Sequence, residues 1–368
     1  MALKPNNDKS ASPARALLAW YDCHRRDLPW RALPGDRAGP YKVWLSEIML
    51  QQTGVAAVKP YFEAFLSRWP DVGLLAQAPA GEVMRQWAGL GYYARARNLH
   101  ACAKIVAGQF AGKFPDTETA LRRLPGIGPY TAAAIAAIAF GRRAAAIDTN
   151  AERVLARLFA IRTVLPGAKS EIKARAAELV PARRPGDFAQ ALMDLGATIC
   201  KPKSPACGAC PLEKYCLGYG LGVSESLPRK PQRKERPLRH GAAFFVRRKD
   251  GAVLVRTRAP KGLLGGMAEL PGTAWEATAA PGLAAGMAPV KAIYRKLDHE
   301  ISHSFTHFAL RLEIYLAEVS NKQRAPEGYR FVPARGLGQE AFPSVMRKVF
   351  AAIGRDDAQK HSAAGKTS

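Results

Sequence analysis

Four cysteines crowd into one short stretch, "CKPKSPACGACPLEKYC", as Cys200, Cys207, Cys210 and Cys216. A C-x6-C-x2-C-x5-C spacing puts four thiolates in a single loop, the ligand number of a tetrahedral metal site or of a 4Fe–4S cluster. Disulfides belong to oxidising compartments. The N-terminal "MALKPNNDKSASPAR" lacks the apolar core of a secretory signal, so an intracellular chain with reduced thiols is expected. Core packing does not account for four cysteines set among Pro, Lys and Gly. Zinc sites usually pair two close-set knuckles, and only one C-x2-C is present, which favours iron–sulfur; spacing alone leaves zinc open. Cys23 and Cys102 lie in helical stretches and read as packed residues.

The hydrophobic period changes after that loop. From Ala14 to about Leu217, segments such as "ARALLAWYDCHR", "SEIMLQQTGVAAVKPYFEAFLSRW" and "SEIKARAAELV" space apolar residues at three and four, the helical pattern. No strand is read in this half. The stretch 218–238 is rich in Gly, Pro, Lys and Arg and reads as a basic linker. Beyond it, "GAAFFVRR", "AVLVRTR" and "FALRLEIYLAEV" read as strands, with "KDG" as a hairpin signal between the first two. The expected organisation is a frayed N-terminus (1–13), a helical domain (14–217) that includes the loop 200–216, the linker, a smaller α+β domain (239–354) and a disordered tail (355–368).

The formal net charge of +25 over 368 residues points to a polyanionic partner, nucleic acid or an anionic membrane surface. No apolar run is long enough to span a bilayer, so nucleic acid leads. The stretch "LPGIGPYT", Leu124 to Thr131, gives that partner a place to bind. It joins a short helix, "TETALRRL", to a longer one, "YTAAAIAAIAF". Gly126 and Gly128 permit a tight turn and leave backbone N–H groups bare at the start of the second helix, where a DNA phosphate fits. The competing reading is an ordinary glycine-containing helix connector.

Two carboxylates stand out beside this hairpin. Asp148, in "AAAIDTNAERVLARLF", precedes a helix and by itself reads as an N-cap. Glu47, in "YKVWLSEIMLQQT", is ringed by Trp44, Leu45, Ile48 and Met49. On a helix it shares a face with Leu50 and Gln51. Apolar surroundings disfavour a charged carboxylate, raise its pKa and suit it to general acid work. Otherwise it is a surface glutamate on an amphipathic helix. Cleavage of an N-glycosidic bond needs two carboxylates with separate tasks, one to protonate the leaving base and one to stabilise the positive sugar.

The hairpin, the aspartate twenty residues beyond it and the cysteine loop together resemble the endonuclease III superfamily of helix-hairpin-helix DNA repair glycosylases. "LPWR", "PYKVWLSEIMLQQT", "GLGYYARARNLH", "LPGIGPYT" and "IDTNAERVLARL" resemble the motifs of its MutY-type adenine glycosylases, over about Ala14 to Ile353. The resemblance implies a mainly α helix-hairpin-helix glycosylase domain with an iron–sulfur loop, followed by an α+β Nudix-like domain. It implies one structural 4Fe–4S cluster and removal of adenine from A·8-oxoguanine or A·G mispairs in double-stranded DNA. A monomer in the cytoplasm, at the nucleoid if the source is bacterial, is expected. By the same likeness Glu47 is the acid that protonates adenine at N7, and Asp148 the carboxylate that stabilises the oxocarbenium ion. Tyr130 and Asn150 would position Asp148 and the sugar. Arg31, Gln51, Gln52, Thr53, Leu90, Tyr92, Gly126, Gly128, Lys201 and Lys203 would meet the DNA.

In the second domain "LLGGMAELPG" resembles a strand and turn of the Nudix fold, with Met267 and Ala268 where Leu-Trp is more usual. The glutamate-rich helix that holds Mg²⁺ in Nudix hydrolases is missing from "TAWEATAAPGLAAGMAPV", so recognition rather than hydrolysis is expected. "HSFTHF" resembles the loop that reads 8-oxoguanine, which assigns Phe305, Thr306 and His307 to DNA, with Thr306 where Ser is usual. Two other readings stand beside this one. A lesion-recognition protein without catalysis would not need both Glu47 and Asp148. A bifunctional glycosylase/lyase would carry a lysine at the place of Tyr130.

Overall fold

A computed structural model describes residues 12–34, 36–232, 235–259, 262–278 and 284–364. The expected frayed N-terminus lies almost wholly outside these residues. The chain divides into two compact units, Met1–Ala78 with Arg97–Gln232, and Pro79–Ala96 with Arg233–Ser368. Among the described residues no helix is long and apolar enough to cross a membrane.

The first unit is helical. Its elements are α1 (Pro13–His24), α2 (Pro40–Leu50), α3 (Val55–Arg68) and α4 (Val72–Gln77), while α5 (Ala80–Gln86) falls in the segment that clusters with the second unit. Then come α6 (Ala94–Gln109), α7 (Glu118–Leu121), α8 (Pro129–Ile138), α9 (Thr149–Leu158), α10 (Lys169–Leu179), α11 (Pro185–Thr198) and α12 (Leu217–Gly220). Proline at the first turn starts α1, α2, α8 and α11, where a missing N–H costs nothing. Small side chains make α8 a central strut, with Thr131 to Ala137 all buried. One core joins Leu17 and Tyr21 of α1, Val154 and Leu158 of α9, and Phe188, Leu192 and Leu195 of α11. Cys200, Cys210 and Cys216 pack against that core, so the cysteine loop closes its end.

The stretch expected to begin a linker at 218 is folded at its start. Leu217–Gly220 is helical, Leu227 is buried, and the Leu227 carbonyl accepts a 3.0 Å bond from Arg157 Nε. A Gly-, Pro- and Arg-rich composition signals a linker only while its backbone is free, and here a buried arginine claims it.

Among its described residues the second unit forms a seven-stranded mixed sheet: β1 (Leu238–Arg248), β2 (Val253–Thr257), β3 (Ala268–Glu269), β4 (Arg295–Lys296), β5 (Ile301–Ser304), β6 (Ala309–Val319) and β7 (Tyr329–Val332). Its path runs β3-β2-β1-β6-β4, with β5 also on β6 and β7 on β2. The long pair β1·β6 is parallel from Leu238↔Ala309 to Arg248↔Val319. The expected hairpin at "KDG" joins β1 to β2 antiparallel. One face of the sheet buries Val345, Val349 and Ile353 of α13 (Ser344–Ala364). That helix runs into the span expected to be a disordered tail, because a helix anchored by a packed stripe propagates cheaply beyond it.

Candidate active site

Glu47 lies on α2, whose residues Val43 to Met49 are all buried. The carboxyl is only 6% exposed. Burial pushes its pKa from 4.5 up to about 7; the Tyr130 hydroxyl's hydrogen bond pulls it back, the Asp148 charge adds to the rise, and Arg31 opposes it. The apolar helix read from the sequence thus raises the pKa of this carboxyl, as expected from its surroundings.

Asp148 is the N-cap of α9, the simpler of its two readings. Its Oδ1 accepts from Ala151 N at 2.7 Å, and its Oδ2 accepts from Asn150 Nδ2 at 2.9 Å. The cap fixes the carboxylate's direction and leaves it lining a cavity of about 680 Å³ shared with Glu47, Tyr130 and Asn150. Tyr130 sits in the first turn of α8. Burial and the two carboxylates hold its phenol far above the usual value, so it stays a protonated donor to Glu47.

The hairpin that delivers Tyr130 is braced from α2. Gln51 Nε2 donates to Gly126 O at 3.4 Å and to Thr131 Oγ1 at 3.3 Å. Gln51 therefore ties the turn to the helix that carries Glu47. Gly126 has φ +78, and a Cβ there would lie 2.9 Å from Asn98 Cβ, so this position needs glycine. Gly128 caps α8 without a side chain and leaves its first amides open.

Gln52 and Thr53 line the cavity, and Gln52 is exposed in a left-handed conformation with φ 57. Tyr92 is 49% exposed, whereas Leu90 is 6% exposed and belongs to the interior. Its neighbours explain the difference. Arg95 lies over the rings of Trp87 and Tyr92 at 5.2 and 5.3 Å and bonds the carbonyls of Leu90 and Gly91, which folds the loop inward at Leu90.

Several residues in or behind the cavity wall carry no motif of their own. Asp194, fully buried on α11, accepts from Arg26 Nε at 2.5 Å and from Arg31 at 2.5 and 2.8 Å. It bridges both arginines and fixes Arg31 near Glu47, where the Arg31 charge lowers the acid's pKa. Gln190, one turn earlier, lines the same cavity with Met193. Two polar residues at i and i+4 in the apolar run "FAQALMDLGATI" were the available signal. Arg153 links Asn150 to the cysteine loop, donating to Asn150 Oδ1 at 2.9 Å and to Cys200 O at 2.8 Å.

All four cysteines line one cavity, which brings the four thiols of the loop to one place. Arg157 braces them, with Nη1 3.3 Å from Cys200 Sγ and bonds to the carbonyls of Lys201 and Pro202 at 2.7 and 2.9 Å. Lys201 and Lys203 are exposed on this loop.

In the second unit, β5 and β6 are joined by the four-residue turn 305–308. Thr306 and His307 are exposed at its tip, while Phe308 is buried and Phe305 partly so.

Known proteins share these features. Residues 45–182 match the family model of HhH-GPD superfamily base excision DNA repair proteins. Residues 200–216 match the iron–sulfur binding domain of endonuclease III, and 242–352 match the NUDIX domain. The adenine DNA glycosylase of Homo sapiens is 34% identical over 398 residues, which cover 91% of this chain and 72% of that protein. That of Mycolicibacterium smegmatis is 43% identical over 225 residues, 61% of this chain and 75% of that one. A solved thermostable thymine-DNA glycosylase superposes with a TM-score of 0.51 at 31% identity, over 56% of this chain and 95% of that one.

Proposed function

The chain belongs to the adenine DNA glycosylase family and is a base-excision repair glycosylase with an iron–sulfur cluster and a Nudix-like domain, and we propose that its substrate is adenine opposite 8-oxoguanine in duplex DNA. The observation that carries the reading is the shared cavity in which Glu47, raised to about 7, and Asp148 face one space with the Tyr130 phenol between them. A flipped nucleotide occupies that space. Glu47, protonated, gives its proton to the departing base, and the glycosidic bond breaks with its electron pair leaving on the adenine. Asp148 stabilises the positive sugar, and water adds to the anomeric carbon, giving its proton to the Glu47 carboxylate, to leave an abasic site. Asn150 holds Asp148 through its 2.9 Å bond.

Cys200, Cys207, Cys210 and Cys216 would hold the cluster, which supplies a cross-link for the loop rather than a redox step. Lys201 and Lys203 on that loop, with the open amides after Gly128, contact phosphates and position without reading sequence. Gln52, Thr53 and Tyr92 meet the opened duplex, and Thr306 and His307 read the base opposite. Position 130 is tyrosine, and a phenol cannot form a Schiff base, so excision proceeds without strand cleavage.

The test is single-turnover excision from A·8-oxoguanine, A·G and A·C duplexes, with borohydride present in a parallel series. Fastest excision opposite 8-oxoguanine with no trapped adduct supports the reading. Equal rates on all three duplexes contradict the substrate, and an efficient wild-type adduct contradicts the chemistry.

A further inference from the structure

The turn that carries Thr306 and His307 is short, and both its ends are aromatic. Phe305 N donates to Phe308 O at 2.8 Å and closes it. The rings of Phe305 and Phe308 stack 4.7 Å apart. Trp275 packs against both, at 5.4 and 6.3 Å, although it comes from another part of the chain. Its segment runs along β1, where Thr273 N donates to Ala242 O at 3.0 Å and His240 and Glu276 exchange backbone bonds of 2.8 and 3.0 Å.

The indole fits there because position 241 is glycine. A Cβ on Gly241 would lie 2.5 Å from Trp275 Cδ1, closer than real atoms approach. Guanidinium groups cover the stack: Arg258 lies 5.5 Å from the Trp275 ring and Arg239 4.4 Å from the Phe308 ring. An exposed tip is thus mounted on a platform built from three separate strands or strand ends.

We propose that Trp275, seated on Gly241, is a positioning residue for discrimination of the opposite base, acting through the turn 305–308. The proposal rests on the reading of Thr306 and His307 given above. Hydrogen bonds to a base edge are directional, and a tip that wanders meets the right and the wrong base about equally. Backing by a rigid indole keeps Thr306 and His307 in one pose before DNA arrives, so the ordering cost is not charged to recognition. Trp275 itself contacts no reacting atom.

The experiment uses the full chain and measures the ratio of single-turnover rates on A·8-oxoguanine and A·G. The variants are Trp275→Ala, Trp275→Phe, Gly241→Ala, the double Thr306→Ala/His307→Ala, and the triple that adds Trp275→Ala to the double. Trp275→Ala is expected to shrink the ratio by about fivefold or more, the scale of one degraded hydrogen bond. Gly241→Ala, which displaces the indole without removing it, shrinks it too, while Trp275→Phe retains most of it. The triple shows the ratio of the double, because a residue that acts through the turn adds nothing once the turn is blank. If the double shrinks the ratio and Trp275→Ala leaves it unchanged, the positioning role is overturned and the reading of the turn survives. An additive triple overturns it as well, since it assigns Trp275 to general stability. If the double itself changes nothing, the reading of the turn falls and this inference falls with it. Should Trp275→Ala fail to fold, Gly241→Ala decides: an unchanged ratio overturns the proposal.

Discussion

In the helical unit the carboxyl assigned to chemistry is 6% exposed, whereas in the sheet unit Thr306 and His307 stand exposed on a turn backed by Phe305, Phe308 and Trp275. Both arrangements hold polar groups rigidly, but they use burial in opposite ways. Around Glu47 burial changes the group itself: it lifts the pKa to about 7, so the proton is present near neutrality and ready to leave. At the turn, burial is kept beneath the polar groups. Their hydrogen-bonding capacity stays free for a base edge, and apolar packing supplies only position. Removing a group from the first arrangement should abolish a reaction. Removing one from the second should blunt a preference.

The largest expected effect is at Glu47. Glu47→Gln should slow excision by about 10²–10⁴-fold, the usual contribution of a general acid, while duplex binding persists. A variant that excises near the wild-type rate would put the acid elsewhere. Next comes Thr306→Ala/His307→Ala, which should narrow the A·8-oxoguanine to A·G rate ratio by about 5–100-fold, as loss of hydrogen bonds to a base edge does. An equal loss on both duplexes would erase the contrast between the units, because the turn would then serve binding in general.

Glu47 also makes a prediction about stability. Its folded value of about 7 exceeds the ordinary 4.5, so between those values the folded state binds the extra proton. Stability is therefore greatest below the ordinary value and falls as pH rises through about 7. Glu47→Gln should stabilise the protein by about 2–3 kcal/mol at pH 8 and by little near pH 4, read as a shift in apparent Tm. A variant less stable at pH 8 would mean the buried carboxylate is well satisfied in its charged form. The smallest effect is expected at the exposed loop lysines. Lys201→Ala or Lys203→Ala should each flatten the slope of log K against log salt by about 1, measured by binding titrations at several salt concentrations. An unchanged slope would remove that lysine from the phosphate contacts.

Much of this was legible in the chain. The glycine pair, the proline and the alanine run of 124–138 specify a tight turn and a closely packed helix by local rules alone, and the cysteine spacing is a ligand count. Glu47 and Asp148 could each be read as suspicious, yet their convergence is a tertiary fact that only the family motifs made visible in advance. Leu90 shows the limit from the other side: an apolar residue beside an exposed tyrosine looks like a partner for DNA, but the stacking of Arg95 on Trp87 and Tyr92 turns it inward. Gln51, assigned to DNA by the family resemblance, also braces the hairpin, since its amide reaches the Gly126 carbonyl across the fold. Asp194 had the weakest signal. An aspartate in an apolar helix gives no hint of the two arginines, more than 160 positions away, that it bridges.

The account turns on a carboxyl that is held protonated near neutrality beside a second carboxylate, and the pH dependence of single-turnover excision measures it most directly. With DNA subsaturating, so that the rate reports the free protein, the wild-type rate should be level just below neutrality and fall about tenfold per pH unit once above an apparent pKa near 7, as the acid form is depleted. Arg31→Gln, which removes the charge that lowers that pKa, should move the break to higher pH. A wild-type rate that stays level to pH 9, or that rises with pH, would contradict Glu47 as the proton donor.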